Sequence, residues 1–313
     1  LADVDGSSEL AANVVVVDGG STDDTCQIVE RLAAQRSGLE LLHNRAKIQS
    51  AAVNLAVRRF GHTANVLIRV DAHADYPEGY CSSLVKTMRR VAAHSVVVPM
   101  DSHGDSGVQL AVALLSNSPL GTGGSAHRAG RSSGFVDHGH HAAFELEFFR
   151  RVGGYDEGFT HNEDAEFDCR QRALGARIYL DSEIRVGYRP RSTLSALWRQ
   201  YFKYGAGRSR TVRRHPSSLR LRQLAVPVHL LLCLITLALS LVSPWFLLWP
   251  AFYALVLAVF SVKLAIQHRT VAGLLAGRAA LTMHTAWACG FFSGLISHRE
   301  RIWQREMTVP LPV

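Results

Sequence analysis

Two patterns of apolar residues divide the chain. Up to about residue 190, short apolar runs end in polar or glycine-bearing turns and alternate with segments of helical period, whereas beyond Leu224 apolar residues continue with little interruption. Asn13 to Val17 reads NVVVV, ends in Asp18-Gly19-Gly20-Ser21 and precedes a helix-like segment from Asp23 to Ala34, which predicts a strand, a glycine turn and a helix. A second unit follows, with Asn44 capping a helix from Ile48 to Phe60 and a strand from Asn65 to Val70. Ser95 to Pro99, SVVVP, is a third buried strand. This alternation predicts an α/β domain with a mostly parallel sheet flanked by helices, and such sheets bind ligands beyond the carboxyl ends of their strands. Asp18 and Asp71 occupy such ends and are expected to face one crevice.

The later pattern differs in kind. Leu224 to Ser243 and Trp245 to Val262 contain no Asp, Glu, Lys or Arg, and each approaches the ~20 residues that cross a hydrocarbon core. Buried core helices are the competing reading, but a soluble helix of this length normally carries a polar face. Ser243 and Pro244 are expected to turn the chain between two antiparallel spans. A third stretch, Val271 to Ile296, is interrupted by Arg278 and His284 and can span, re-enter or lie at the interface. The organisation expected is a cytoplasmic domain over residues 1–190, a basic amphipathic connector over 191–223 and a membrane segment over 224–313 with two or three hydrophobic helices.

Charge sharpens this division. The chain carries a formal net charge of +8 with 48% hydrophobic residues, and Arg185 to Arg222 holds eleven Lys or Arg with no Asp or Glu. A basic cluster beside a span marks the cytoplasmic side, and here it favours anionic headgroups or a lipid pyrophosphate over nucleic acid. No signal peptide precedes the polar half, which is expected to stay in the cytoplasm. Cys26, Cys81, Cys169, Cys233 and Cys289 form no CxxC pair, in keeping with a reducing compartment and against a thiolate zinc site.

Three stretches carry candidate chemistry. In RVDAHADYP, residues 69–77, strand alternation points Asp71 and His73 the same way, with Asp75 joining them if the chain stays extended. Such a set can hold a divalent cation against a diphosphate; oxygen ligands suit Mg and an imidazole shifts the balance toward Mn. A solvated strand end is the alternative. In HNEDAEFDCR, residues 161–170, Glu163, Asp164, Glu166 and Asp168 crowd together, so that some raise one another's pKa and can accept a proton from an alcohol. They also suit a helix N-terminus, whose dipole favours acids. In GTGGSAHRAGRSSGFVDHGHHAAF, Gly121, Gly123 and Gly124 give a flexible loop, and Asp137, His138, His140 and His141 form either a sugar-contacting loop or a zinc-like cluster.

Taken in order, VVVVDGGSTDDT, RVDAHADYP, VGGYDEGFTHNEDAEFDCRQRALG and QYFKY, residues 200–204, resemble the family 2 glycosyltransferases of GT-A fold over about residues 13–210. Within the family, GTGGSAHR and DHGHHAAF are similar to the membrane-bound β-1,3-glucosyltransferases of succinoglycan biosynthesis. The resemblance implies inverting transfer of a sugar, glucose from UDP-glucose, to a polyprenyl-diphosphate-linked acceptor at the bacterial inner membrane, with Mn or Mg as cofactor. It assigns nucleotide-sugar contacts to Asp18 and Asp71, with Lys47 added for its charge before the second helix. His73 takes the place of the usual metal-binding aspartate beside Asp71, and Asp164 is the general base with Glu163 at its side. Gln200, Lys203 and Tyr204 resemble QxxRW with Lys for Arg and Tyr for Trp; they and His140 are expected to meet acceptor or diphosphate. The family also implies a strand upstream of Asn13, and the polar LADVDGSSELAA does not supply it, so the sequence is expected to be truncated at its N-terminus. Two rival readings are a metal-dependent lipid-diphosphate phosphohydrolase working through His138 to His141 and a non-catalytic membrane adaptor.

Overall fold

The computed structural model describes residues 10–122 and 132–312; Gly123 and Gly124 lie outside the described residues. The chain forms two compact units: Leu1–Pro99, Gly130–Val186 and Gln304–Val313 make one, and Met100–Ala129 with Gly187–Trp303 make the other.

In the first unit β1 (Val14–Asp18) runs parallel to β2 (Leu39–His43) with α1 (Thr25–Gln35) between them, and their register sets Asp18 opposite His43. α2 (Gln49–Phe60) follows. The Asn44 side chain accepts from the N–H of Ala46 and donates to the carbonyl of Ile48, so it builds the turn before α2 and is not its N-cap. Next come β3 (Val66–Ile68), the two-residue β4 (Ala74–Asp75), α3 (Tyr80–Val91) and β5 (Ser95–Val98). α3 is amphipathic in the expected way: Leu84, Val85 and Met88 are buried while Lys86, Arg89 and Arg90 face outward.

β6 (Met100–Ser102), α4 (Gly107–Ser116) and α5 (Pro119–Thr122) belong to the second unit; β7 (Gly134–Val136), β8 (His140–Glu145), α6 (Leu146–Arg151), α7 (Glu163–Ala173) and β9 (Ile178–Leu180) return to the first, and β10 (Val186–Tyr188) begins at its end. The main sheet has the order β3-β8-β5-β9-β7. It is mixed: β5 and β9 are parallel, but β8 enters antiparallel between β3 and β5, and β7 is antiparallel to β9. The HHAAFE run therefore lies in a strand and not in a loop. Ala142, Ala143 and Phe144 are fully buried because β8 is central, and small side chains there admit the layers above and below. Gly139 enters β8 where a Cβ would strike the Val97 side chain at 2.4 Å.

Beneath this sheet Phe144, Phe149, Tyr155 and Phe167 pack ring against ring, with centroids 5.0–6.1 Å apart. At roughly 1.5–3 kcal/mol for each buried large side chain, this cluster fixes the strand that carries β8 and the loop that leads into α7. Both border the site described below.

The second unit is helical: α8 (Leu194–Arg214), α9 (Leu221–Leu239), α10 (Leu248–Gln267) and α11 (Ala276–Ser297). Leu221–Leu239, Pro244–Gln267 and Val271–Ser297 are long and apolar enough to cross a membrane. The first two leave most of their surface uncovered, with 6% and 11% buried, whereas 44% of the third is buried in protein. α8 and α11 approach so closely that a Cβ on Gly205 would sit 2.0 Å from the carbonyl oxygen of Trp287, and one on Gly290 1.9 Å from that of Phe202. The basic run is also partly consumed internally. Arg210 and Arg214 grip the buried Glu300, and Arg213 donates to the carbonyls of Gly294 and His298. Arg191, Arg220 and Arg222 remain exposed.

Candidate active site

Asp18 ends β1, and the turn after it folds back on its carboxylate. The backbone N–H of Gly20 donates at 2.8 Å, that of Ser21 at 3.1 Å and the Ser21 hydroxyl at 2.5 Å. These donors, led by the Ser21 hydroxyl, bring its pKa down to about 2, so the group is a fixed carboxylate. Gly20 has φ +95°, and a Cβ there would meet the Lys47 side chain at 3.1–3.2 Å. Lys47, itself left-handed at φ 57°, therefore lies over the Asp18 turn. Asp18 and Lys47 are thus neighbours at this turn.

The centre of the site is Arg69, which heads the RVDAHADYP stretch and to which the sequence reading gave no role. Its guanidinium donates to Asp164 at 2.8 Å, to Asp71 at 3.3 Å and to the Tyr155 hydroxyl at 3.2 Å. Tyr155 in turn donates to the same Asp164 oxygen at 2.6 Å, and the Gln49 amide donates to Asp71 at 2.6 Å. Burial disfavours the charge on Arg69, but Asp164, Tyr155, Asp71 and Glu163 outweigh it and keep the guanidinium firmly protonated. One buried cation thus joins two carboxylates distant in sequence.

α7 sorts the four acids of its first turns. Its N-cap, Asn162, is left-handed at φ 69°, and Glu163 and Asp164 open the helix. Burial, and then the charge of Asp164, push the Glu163 carboxyl up to about 7. Glu166 points inward, pairs with Arg170 at 2.8 Å and is fully buried. Asp168 is also buried; it accepts from Gln171 at 2.7 Å and meets His138 through Nδ1. Glu163, Asp164 and Glu166 thus all lie in the first turn, where the helix dipole favours acids.

Other expected residues are placed differently. β3 stops at Ile68, and the chain turns after Asp71, closed by the Ala74 N–H on the Asp71 carbonyl at 3.2 Å. Strand alternation accordingly does not align Asp71 with His73, which is exposed in that turn, or with Asp75. The Tyr76 hydroxyl meets the Asp71 backbone and fixes the turn from inside. His140 is half-buried at the start of β8, opposite Val98. The His141 side chain lies outside the described residues; among those described, no three metal-ligating side chains converge around Asp137, His138 and His140. In the second unit, Gln200 donates to the hydroxyls of Tyr188 at 3.0 Å and Tyr204 at 2.9 Å, and Lys203 is exposed.

The family model Glycosyl transferase family 2 matches residues 6–153. Succinoglycan biosynthesis protein ExoA of Rhizobium meliloti (strain 1021) is 42% identical over 294 residues, covering 94% of this chain and 88% of the relative. The mannosyltransferase PcManGT from Pyrobaculum calidifontis, solved with GDP-Man and Mn2+, superposes with a TM-score of 0.52 at 20% identity, covering 92% of this chain and 79% of that one. At that identity the likeness speaks to the fold alone.

Proposed function

Because the chain belongs to glycosyl transferase family 2, we propose that it transfers glucose from UDP-glucose, with inversion, to a polyprenyl-diphosphate-linked oligosaccharide in bacterial exopolysaccharide synthesis. The observation that carries this reading is the Arg69 centre, which joins Asp71, near the Asp18 and Lys47 turn through Gln49, to Asp164 at the mouth of α7. Asp164 accepts the proton of the acceptor hydroxyl as that oxygen attacks the anomeric carbon; the bond from that carbon to the diphosphate breaks and UDP leaves. Arg69 and Tyr155 hold Asp164 in place, and Glu163, titrating near neutrality beside it, passes the proton on toward solvent.

Asp18 takes the base of the nucleotide, and Lys47 with Asp71 its ribose or diphosphate. Gln200, Lys203, Tyr204 and His140 are assigned to acceptor or diphosphate contact on the motif resemblance; Lys203 acts as a point charge and not as a bidentate fork. A divalent ion, Mn or Mg, would be held by Asp71; His73, exposed in the turn beyond it, is not aligned with that carboxylate. The Asp71 carboxylate gives its Oδ1 to Gln49 and Arg69 but keeps capacity on Oδ2, where Arg69 is 3.5 Å away. Such ions bind through one or two protein groups and substrate phosphates. Bound there, the ion would offset the charge of the departing diphosphate.

The three apolar helices support an inner-membrane location, with the catalytic residues on the cytoplasmic side and lipid headgroups against the exposed arginines. The test is release of UDP from UDP-glucose by the full chain in detergent, with and without a polyprenyl-diphosphate oligosaccharide and Mn or Mg. Acceptor- and metal-dependent UDP release is expected. Inorganic phosphate released from the lipid diphosphate with no sugar donor would overturn the reading in favour of a phosphohydrolase.

A further inference from the structure

A second cluster, apart from the Arg69 centre, is left unused by this mechanism. The parallel register of β1 and β2 sets Asp18 opposite His43, and Cys26 stands in the first turn of α1. One ligand atom from each of the three lies within 4.8 Å of the others, and His43 Nδ1 is 4.0 Å from Asp18 Oδ2. The Gly20 N–H, the Ser21 N–H and the Ser21 hydroxyl occupy three acceptor positions of the Asp18 carboxylate. A carboxylate offers about four, and the Cys26 thiol also hydrogen-bonds to it. The Asp18 position that the thiol occupies is therefore the one a metal would take, with the His43 imidazole 4.0 Å from Oδ2.

We propose that Asp18, Cys26 and His43 bind a borderline-soft divalent ion, zinc foremost, and that an ion held there excludes the nucleotide. Thiolate, imidazole and carboxylate together select zinc or cobalt over magnesium, unlike the oxygen-rich pairing at Asp71. Zinc bonds of about 2.0–2.3 Å require the three groups to close slightly. The His43 side chain is 67% exposed and rotates freely enough to do so. On binding, the Cys26 S–H bond breaks, the sulfur's electron pair goes to the metal and the proton goes to solvent. Three protein ligands leave a fourth position for water. The exclusion of nucleotide rests on the assignment of Asp18 to the base; the metal site does not.

Cobalt titration of the metal-stripped full chain in detergent tests the site, because a thiolate ligand gives a sulfur-to-cobalt charge-transfer band. The band is expected in the wild type and absent in Cys26→Ser. In His43→Gln, an exposed change that keeps the fold, cobalt affinity should fall at least about tenfold, the least that losing even a supporting group of a metal site costs. Zinc should displace cobalt and weaken UDP binding in proportion to its concentration in the wild type, but not in His43→Gln. No band in the wild type, or a band that survives in Cys26→Ser, would overturn the site. A band with UDP affinity indifferent to zinc would overturn the exclusion. Metal-free UDP titration of Asp18→Ala separates the two ideas: normal UDP binding there would remove the nucleotide assignment and leave the cobalt result standing.

Discussion

Arg69 and Arg170 lie in the same unit, with side chains only 7% and 8% exposed, and both are gripped by carboxylates. Their surroundings differ. Arg170 holds a Glu166 that is sealed from solvent and also donates to the carbonyls of Val152 and Gly154, so these partners are fixed and internal. Arg69 holds Asp71 and Asp164, whose side chains remain 14% and 18% exposed. A buried pair closed on all sides fixes structure, because removing one member strands the other. A buried cation whose anionic partners stay open can pre-organise groups that meet a ligand. The same two residue types therefore make a staple at one place and a working centre at the other.

The contrast breaks most visibly in substitutions of the two arginines. Arg69→Met should lower transfer by about a thousandfold or more, within the range that general-base catalysis commands, with a much smaller effect on thermal stability; turnover and melting measured on one preparation check this. Arg170→Met should do the reverse. Leaving Glu166 buried and uncompensated costs about 3–5 kcal/mol, read as a lowered melting temperature, while the folded fraction keeps its turnover.

Glu163 sharpens the comparison through pH. Its carboxyl is raised from an ordinary 4.5 to about 7, by burial first and by Asp164 second. The unfolded chain ionises this group at lower pH than the native one, so native stability falls as pH rises from about 4.5 to about 7 and then levels. Glu163→Gln should flatten that part of the stability profile, which thermal melts across the interval detect. The smallest effect belongs to Gln49→Ala, which removes one hydrogen bond to a carboxylate, a loss of about 1.5–3 kcal/mol at most. It should appear as weaker nucleotide binding with turnover at saturation largely kept.

The first unit was legible wherever a residue type dictates its own setting. NVVVV before DGGS announces β1 and its turn, and the acids of HNEDAEFDCR suit a helix start, where the dipole favours carboxylates. Partners supplied by distant segments were not legible. Arg69, Tyr155 and Gln49 acquire their roles only when β3, the loop before α7 and the start of α2 meet, and no local pattern encodes that meeting. β8 escaped notice because HHAAFE is polar and small-residued, and its strand character comes from its two neighbours in the sheet. The turn at Ala72 and His73 undid the alternation argument because the β3 ladder ends three residues before Asp71. In the second unit length and apolarity alone revealed the long helices, while the close approach of α8 and α11 lay hidden in Gly205 and Gly290.

The central claim is that Asp164, held by Arg69 and Tyr155, takes the proton of the acceptor hydroxyl. It is tested most directly by Asp164→Asn, which keeps the shape of the side chain and removes its basicity, with transfer rate and UDP affinity measured on the same protein. The account predicts a transfer rate lower by about a thousandfold, with UDP affinity close to that of the wild type. An Asp164→Asn protein that transfers sugar at the wild-type rate would contradict it.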